Sequence, residues 1–159
     1  MKREALPATA AVIAAAMTLM MAPQALSHGE EEAGFGVPGD RSKPTQVVRV
    51  TMSETNDRHM LFKPNDFTIR RGQQVRFIIE NKGAIDHEFV VGTLRGNLEH
   101  AEKMKKNPDM EHDDPNAIRL AANKQGEILW QFTQAGTFDF SCLIPGHSEA
   151  GMHGVIRVR

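Results

Sequence analysis

Soft and borderline metal donors crowd one short stretch of this chain, Ser141-Cys142-Leu143-Ile144-Pro145-Gly146-His147-Ser148-Glu149-Ala150-Gly151-Met152. Cys142 is the only cysteine, His147 follows five positions later, and Met152 five after that. A thiolate, an imidazole and a thioether are donors that copper prefers, and one further histidine would complete a trigonal His₂Cys set with a weak axial Met. Pro145 and Gly146 make a tight turn between the donors, and Gly151 gives the backbone latitude just before Met152. One loop can therefore wrap three donors around a single ion.

The candidate for the fourth donor is His87, in Asn81-Lys82-Gly83-Ala84-Ile85-Asp86-His87-Glu88-Phe89-Val90-Val91, where a polar turn gives way to an apolar strand. A lone histidine or methionine is usually structural; the weight here comes from the joint pattern. Other chemistries fit less well. A binuclear copper centre needs a second cysteine, and multicopper oxidase chemistry needs histidines flanking the cysteine, where Ser141 and Leu143 stand. Structural zinc takes Cys, His and carboxylates rather than thioether. Cys142 and His147 as a hydrolytic dyad would lack a recognisable oxyanion hole and an orienting Asn or Asp.

Cys-x4-His-x4-Met after an upstream Asn-x-Gly-x3-His-x-Phe resembles the cupredoxins, with the motifs covering residues 74–159 and the strand pattern reaching back to about residue 45. The Pro-Gly-His-Ser piece is similar to the azurin ligand loop, and the spacing is closer to rusticyanin-like members. The whole looks nearest to small periplasmic cupredoxins of bacterial copper tolerance. The resemblance implies an all-β, Greek-key sandwich and one type 1 copper ion held by His87, Cys142 and His147, with Met152 axial. It further implies a one-electron carrier or copper holder, not an enzyme. A small redox protein or a membrane electron-transfer partner would dock on an apolar patch near His147, and the chain is expected to be a monomer. One departure stands out. Many members have Asn directly after the first histidine ligand, and here that position is Glu88, which calls the usual hydrogen-bonded bracing of the site into question.

The elements that would position these residues follow from the chain as a whole. Its 159 residues suit one domain. Lys2 and Arg3 precede an apolar run from Ala5 to Ala22, and Ala25-Leu26-Ser27 supplies small residues at a cleavage site before His28. Residues 1–27 therefore read as a signal peptide that exports the protein to the periplasm. Removing them takes away Lys2, Arg3 and Glu4 and turns the formal charge of −1 into −2. That balance argues against nucleic acid as a partner. A single cysteine in an exported chain is an intermolecular bridge, a free thiol or a metal ligand, and the flanking His and Met favour the last.

Residues 28–44, rich in Gly, Glu, Pro and Ser, read as a flexible N-terminal arm, and residues 45–159 as the domain. Alternation predicts strands over Thr45–Met52, Phe67–Arg70, Gln74–Glu80, His87–Gly92, Gly126–Phe132, Thr137–Cys142 and Gly154–Val158, with an apolar piece at His59–Phe62. Between them lies a helical excursion around residues 97–122. Asn97 is its expected N-cap, Leu98, Ala101 and Met104 its apolar face, and Pro115 opens a second short helix with Ile118 and Leu120. His28, His59, Met60, His100, Met104, Met110, His112 and His153 are further soft or borderline donors. They carry the alternative reading of a copper-sequestering or copper-chaperone protein with additional His/Met sites and no dedicated redox partner.

Overall fold

The computed structural model describes residues 32–107 and 114–159. The expected signal peptide, the first residues of the expected arm, Met110 and His112 lie outside them. In chain order, a 3-10 turn at Glu32–Phe35 leads into β1 (Gly36–Pro38), β2 (Gln46–Glu54), β3 (Met60–Lys63), β4 (Asp66–Ile69), β5 (Gln74–Asn81) and β6 (His87–Gly92). Helix α1 (Leu94–Lys106) follows, then β7 (Ala117–Leu120), β8 (Gln125–Phe132), β9 (Gly136–Ser141) and β10 (His153–Val158). Two five-stranded sheets result, in the orders β1-β8-β5-β2-β3 and β4-β10-β9-β6-β7. Most neighbours are antiparallel, but β2 runs parallel to β5 and β10 parallel to β4. The Greek-key β-sandwich expected from the strand pattern is the observed fold.

The core follows from the alternation of each strand. Val50 and Met52 of β2, Val75, Phe77 and Ile79 of β5, and Ile128, Trp130 and Phe132 of β8 are buried on one sheet. They meet Phe67, Ile69, Phe89, Val91, Phe138, Phe140, Ile156 and Val158 of the other. All eight phenylalanines are buried, several of them in tilted or edge-to-face contacts such as Phe62–Phe89 at 5.5 Å and Phe77–Phe89 at 5.3 Å. Such pairs add to area burial.

Three local expectations need correction. The described part of the stretch read as a flexible arm, residues 32–44, contributes to the sandwich. Phe35 is 3% exposed, with its ring 5.2 Å from Trp130 and 5.1 Å from Phe138, and β1 pairs with β8 at the sheet edge. One aromatic residue is enough to anchor a polar segment when an apolar slot awaits it. Asn97 does not cap α1. Thr93 does, its Oγ1 accepting the Gly96 N–H at 3.0 Å. Asn97 turns inward instead and donates to Asp139 Oδ2 at 2.7 Å. Finally, Pro115 opens no helix. Ala117–Leu120 is β7, paired antiparallel with β6, because Ile118 and Leu120 fit the pleated edge and Asn116 bonds Val91 through both backbone and side chain.

This topology sets up one end of the second sheet. β6 and β10 both run antiparallel to β9, so the starts of β6 and β10 lie at the end where β9 finishes. His87 opens β6, Cys142 follows β9, and Met152 precedes β10. Truncating Phe35 should reveal whether the N-terminal segment belongs to the cooperative unit. Phe35→Ala should lower the stability by about 3–5 kcal/mol in urea unfolding, the usual cost of emptying a buried phenylalanine site; an unchanged midpoint would return the segment to the status of an arm.

Candidate metal centre

Each donor is fixed by an element on either side of it. Cys142 leaves β9 with its backbone N–H bonded to Met152 O at 3.0 Å, and Met152 N–H returns to His147 O at 3.1 Å. Within the loop, His147 N–H bonds Ile144 O at 3.0 Å and Ala150 N–H bonds Gly146 O at 3.1 Å. Gly146 (φ 89°) and Gly151 (φ 103°) adopt the left-handed conformation that these tight reversals need. The loop is thus closed on itself by main-chain bonds before any metal is considered.

The side chains converge. His87 and Cys142 are fully buried and His147 is 9% exposed. The Sγ of Cys142 lies 3.2 Å from His147 Nδ1, which lies 3.2 Å from His87 Nδ1. One donor atom from each of the three residues falls within 4.8 Å of the others. Met152 is also fully buried, and its backbone bonds both Cys142 and His147. Of the four residues singled out in the sequence, three bring donor atoms together and the fourth, Met152, is tied to two of them through its backbone. Among the described residues, no other group of three His, Cys, Asp or Glu side chains gathers in this way.

A residue that the sequence reading passed over stands behind His87. Glu54 Oε1 lies 2.9 Å from His87 Nε2, and the same carboxylate accepts the Ala84 and Ile85 N–H groups at 3.0 and 3.2 Å. A carboxylate takes only a hydrogen, so Nε2 carries the imidazole proton and Nδ1 keeps its lone pair. A signal for Glu54 existed. Val48, Val50 and Met52 alternate along β2, and continuing that period by one step puts Glu54 on the same face.

The concern over Glu88 resolves through its backbone. Its N–H points at Cys142 Sγ at 3.3 Å, a bond that no side-chain identity affects, while its carboxylate lies 3.9 Å from Arg119 on β7. The extra donors fare differently. Met104 is fully buried in a second apolar cluster with Val90 and Leu143, where it packs rather than binds. His59 lies on the exposed surface beside Asp57. His28, Met110 and His112 lie outside the described residues.

Burial governs the electrostatics. Desolvation pushes the Cys142 thiol up to about 12, against the opposing pull of the Glu88 and Ile144 N–H groups. Desolvation also lowers His87, despite the Glu54 carboxylate beside it. His147 is lowered by burial and then by His87. At neutral pH the metal-free site therefore holds a neutral thiol and neutral imidazoles. Two imidazole nitrogens and a sulfur facing one another in a buried site make a strong trap for a thiophilic cation.

Residues 48–159 match the family model for copper-binding proteins of the plastocyanin/azurin family. The chain is 48% identical to the copper-resistant cuproprotein CopI of Rubrivivax gelatinosus over 162 residues, covering 96% of each chain. It is 38% identical to the protein of the same name from Vibrio cholerae, over 79% of this chain and 71% of that one. Among solved structures, a reduced auracyanin from Roseiflexus castenholzii superposes with a TM-score of 0.61 at 20% identity, over 74% of this chain and 99% of that one.

A cation bound through Cys142 must displace the thiol proton, whereas the two imidazoles have none to give up at neutral pH. Metal loading at pH 7 should therefore release about one proton per ion, and apparent affinity should rise roughly tenfold per pH unit through this range. Indicator-dye titration in weak buffer measures the release directly. Loading without proton release would mean that the thiol is already ionised.

Proposed function

Because this chain belongs to the plastocyanin/azurin family of copper-binding proteins, we propose that it is an exported, mononuclear type 1 copper protein that carries single electrons in the service of copper resistance. The observation behind this reading is the donor set itself. A sulfur and two imidazole nitrogens within 4.8 Å, with no carboxylate oxygen among them, suit copper far better than calcium or magnesium. His87, Cys142 and His147 would hold the ion, with Met152 as the axial thioether. Bound there, copper supplies a one-electron couple between Cu(I) and Cu(II). The chain's own contribution is stiffness. Donors fixed by strand ends, main-chain bonds and burial would change position little between oxidation states, which favours electron exchange over chemistry on a substrate. On this reading the protein is not an enzyme.

Copper resistance enters from the relatives that bear that description. The apolar run and the small residues up to Ser27 support export to the periplasm. A monomer with a transient partner fits the surface beside the His147 loop. There Leu143, Ile144 and Pro145 face Leu94 and Leu98 of α1 across a cavity of about 300 Å³, and the two α1 leucines are 62% and 60% exposed. A small redox protein or a membrane electron-transfer partner would dock on this face, since weak docking needs only a small interface. The alternative, a copper-holding chain with further His/Met sites, loses one of its donors to the packing of Met104.

The purified chain should bind one copper ion and be coloured by sulfur-to-copper charge transfer. Cys142→Ser should remove the intense visible band while circular dichroism stays native; a band that survives would overturn the assignment. The axial role has its own series. Reduction potentials should fall in the order Met152→Leu, wild type, Met152→Gln, because a thioether favours Cu(I) more than an amide oxygen does and leucine offers no donor. Three coincident potentials would remove Met152 from the site. Stopped-flow oxidation of the Cu(I)-loaded chain by a small one-electron acceptor should outrun copper loss. The reverse order would favour copper holding over electron carriage.

A further inference from the structure

We propose that Glu54 is a positioning residue for His87, fixing its imidazole with Nδ1 bare and toward Cys142 and His147 and biasing the site toward the more highly charged metal state. The inference rests on the copper reading above for its redox part, and on geometry alone for its positioning part. Glu54 sits at the last position of β2, 33 residues from His87 in sequence. Its carboxylate is held at three points: Oε1 accepts from Ile85 N–H at 3.2 Å and lies 2.9 Å from His87 Nε2, while Oε2 accepts from Ala84 N–H at 3.0 Å. The loop that carries His87 is therefore bonded to the same group that orients its ring.

Gly83 shows that the fit is specific. A Cβ at this position would lie 2.4 Å from Oε2 and 2.6 Å from Oε1 of Glu54, so the carboxylate occupies the volume that any other residue would claim. Asn81 completes the support, its side chain accepting the Gly83 N–H at 2.9 Å and donating to Ile85 O at 2.8 Å and Leu120 O at 2.9 Å. The Asn-x-Gly-x3-His pattern thereby acquires a reason: Asn81 shapes the loop, Gly83 clears space for the carboxylate, and His87 receives it.

The charge acts as well as the geometry. An ionised carboxylate 2.9 Å from the fully buried ring of a histidine that holds the metal stabilises Cu(II) more than Cu(I), although its own side chain is 21% exposed and water screens part of the effect. Neutralising it raises the potential. Glu54→Gln removes the charge and can retain the acceptor toward Nε2. Gly83→Ala leaves Glu54 in the chain but drives its flexible carboxylate away from His87.

The test has two arms. In metal-free protein labelled with nitrogen-15 at histidine, long-range correlation spectra should show His87 as the Nε2–H tautomer in wild type and as a mixture in Gly83→Ala. In copper-loaded protein, both variants should keep the visible band, and Glu54→Gln should shift the Cu(I)/Cu(II) balance roughly tenfold toward Cu(I), about 59 mV for a one-electron couple. Gly83→Ala should move it the same way by less. An Nδ1–H tautomer in wild-type protein would overturn the positioning role. A potential in Glu54→Gln within twofold of wild type on that scale would overturn the charge role. Failure of the chain to bind copper would sink the functional reading instead, and the tautomer measurement would still decide the positioning.

Discussion

Everything in this structure depends on keeping one donor atom each of Cys142, His87 and His147 within 4.8 Å of the others in a buried site. Without a metal they can pair only with one another, Cys142 with His147 and His147 with His87, each at 3.2 Å, and three donors sharing so few protons are costly to bury. Unconstrained side chains would swing apart toward water. They are held instead by groups that cannot yield separately: β6 at one side, the β9–β10 pair at the other, and a loop closed by its own main-chain bonds. The sandwich and its aromatic core are the means by which an otherwise unfavourable arrangement is maintained.

The helix between β6 and β7 belongs to the same scheme. Met104 packs against Val90 and Leu143, the residue directly after Cys142. Beneath it, Asp139 on β9 is 7% exposed and accepts bonds from Asn97 of α1 and from Ser141, each at 2.7 Å. A buried carboxylate oxygen that accepts from both residues ties the helix to the last residues of β9. The ion pair from Lys105 to Glu149, at 3.5 Å between partly exposed groups, contributes little beside it. The excursion thus braces the segment from which the cysteine emerges.

How much of this the sequence revealed depended on how local each signal was. Strands β5, β6 and β8 were legible because period-two alternation is written within eight residues, and the donor loop because three donors share twelve. The packed segment around Phe35 was not, since Phe35 sits alone among glycines and acids and its slot is built by Trp130 and Phe138, about a hundred residues away. Ile118 and Leu120 carry a pattern that suits either a helix turn or an edge strand, and only the unpaired side of β6 decides it. Glu88 misled because its contribution runs through a backbone N–H, which composition does not report. Glu54 lies in phase with its strand, yet an acidic residue at a strand end marks a solvated turn as readily as a bond to a histidine 33 residues on.

The buried thiol carries a consequence for the order in which this protein is made. Burial pushes its pKa far up, to about 12, so the folded chain presents little of the thiolate that attacks disulfides and peroxides. On the proposed export to an oxidising compartment, the folded chain can therefore wait without cross-linking to its neighbours. Only the unfolded chain, with an ordinary cysteine, is exposed to that fate, which sets folding in competition with oxidation rather than with metal supply. Maturation can then proceed with the polypeptide first and the ion second.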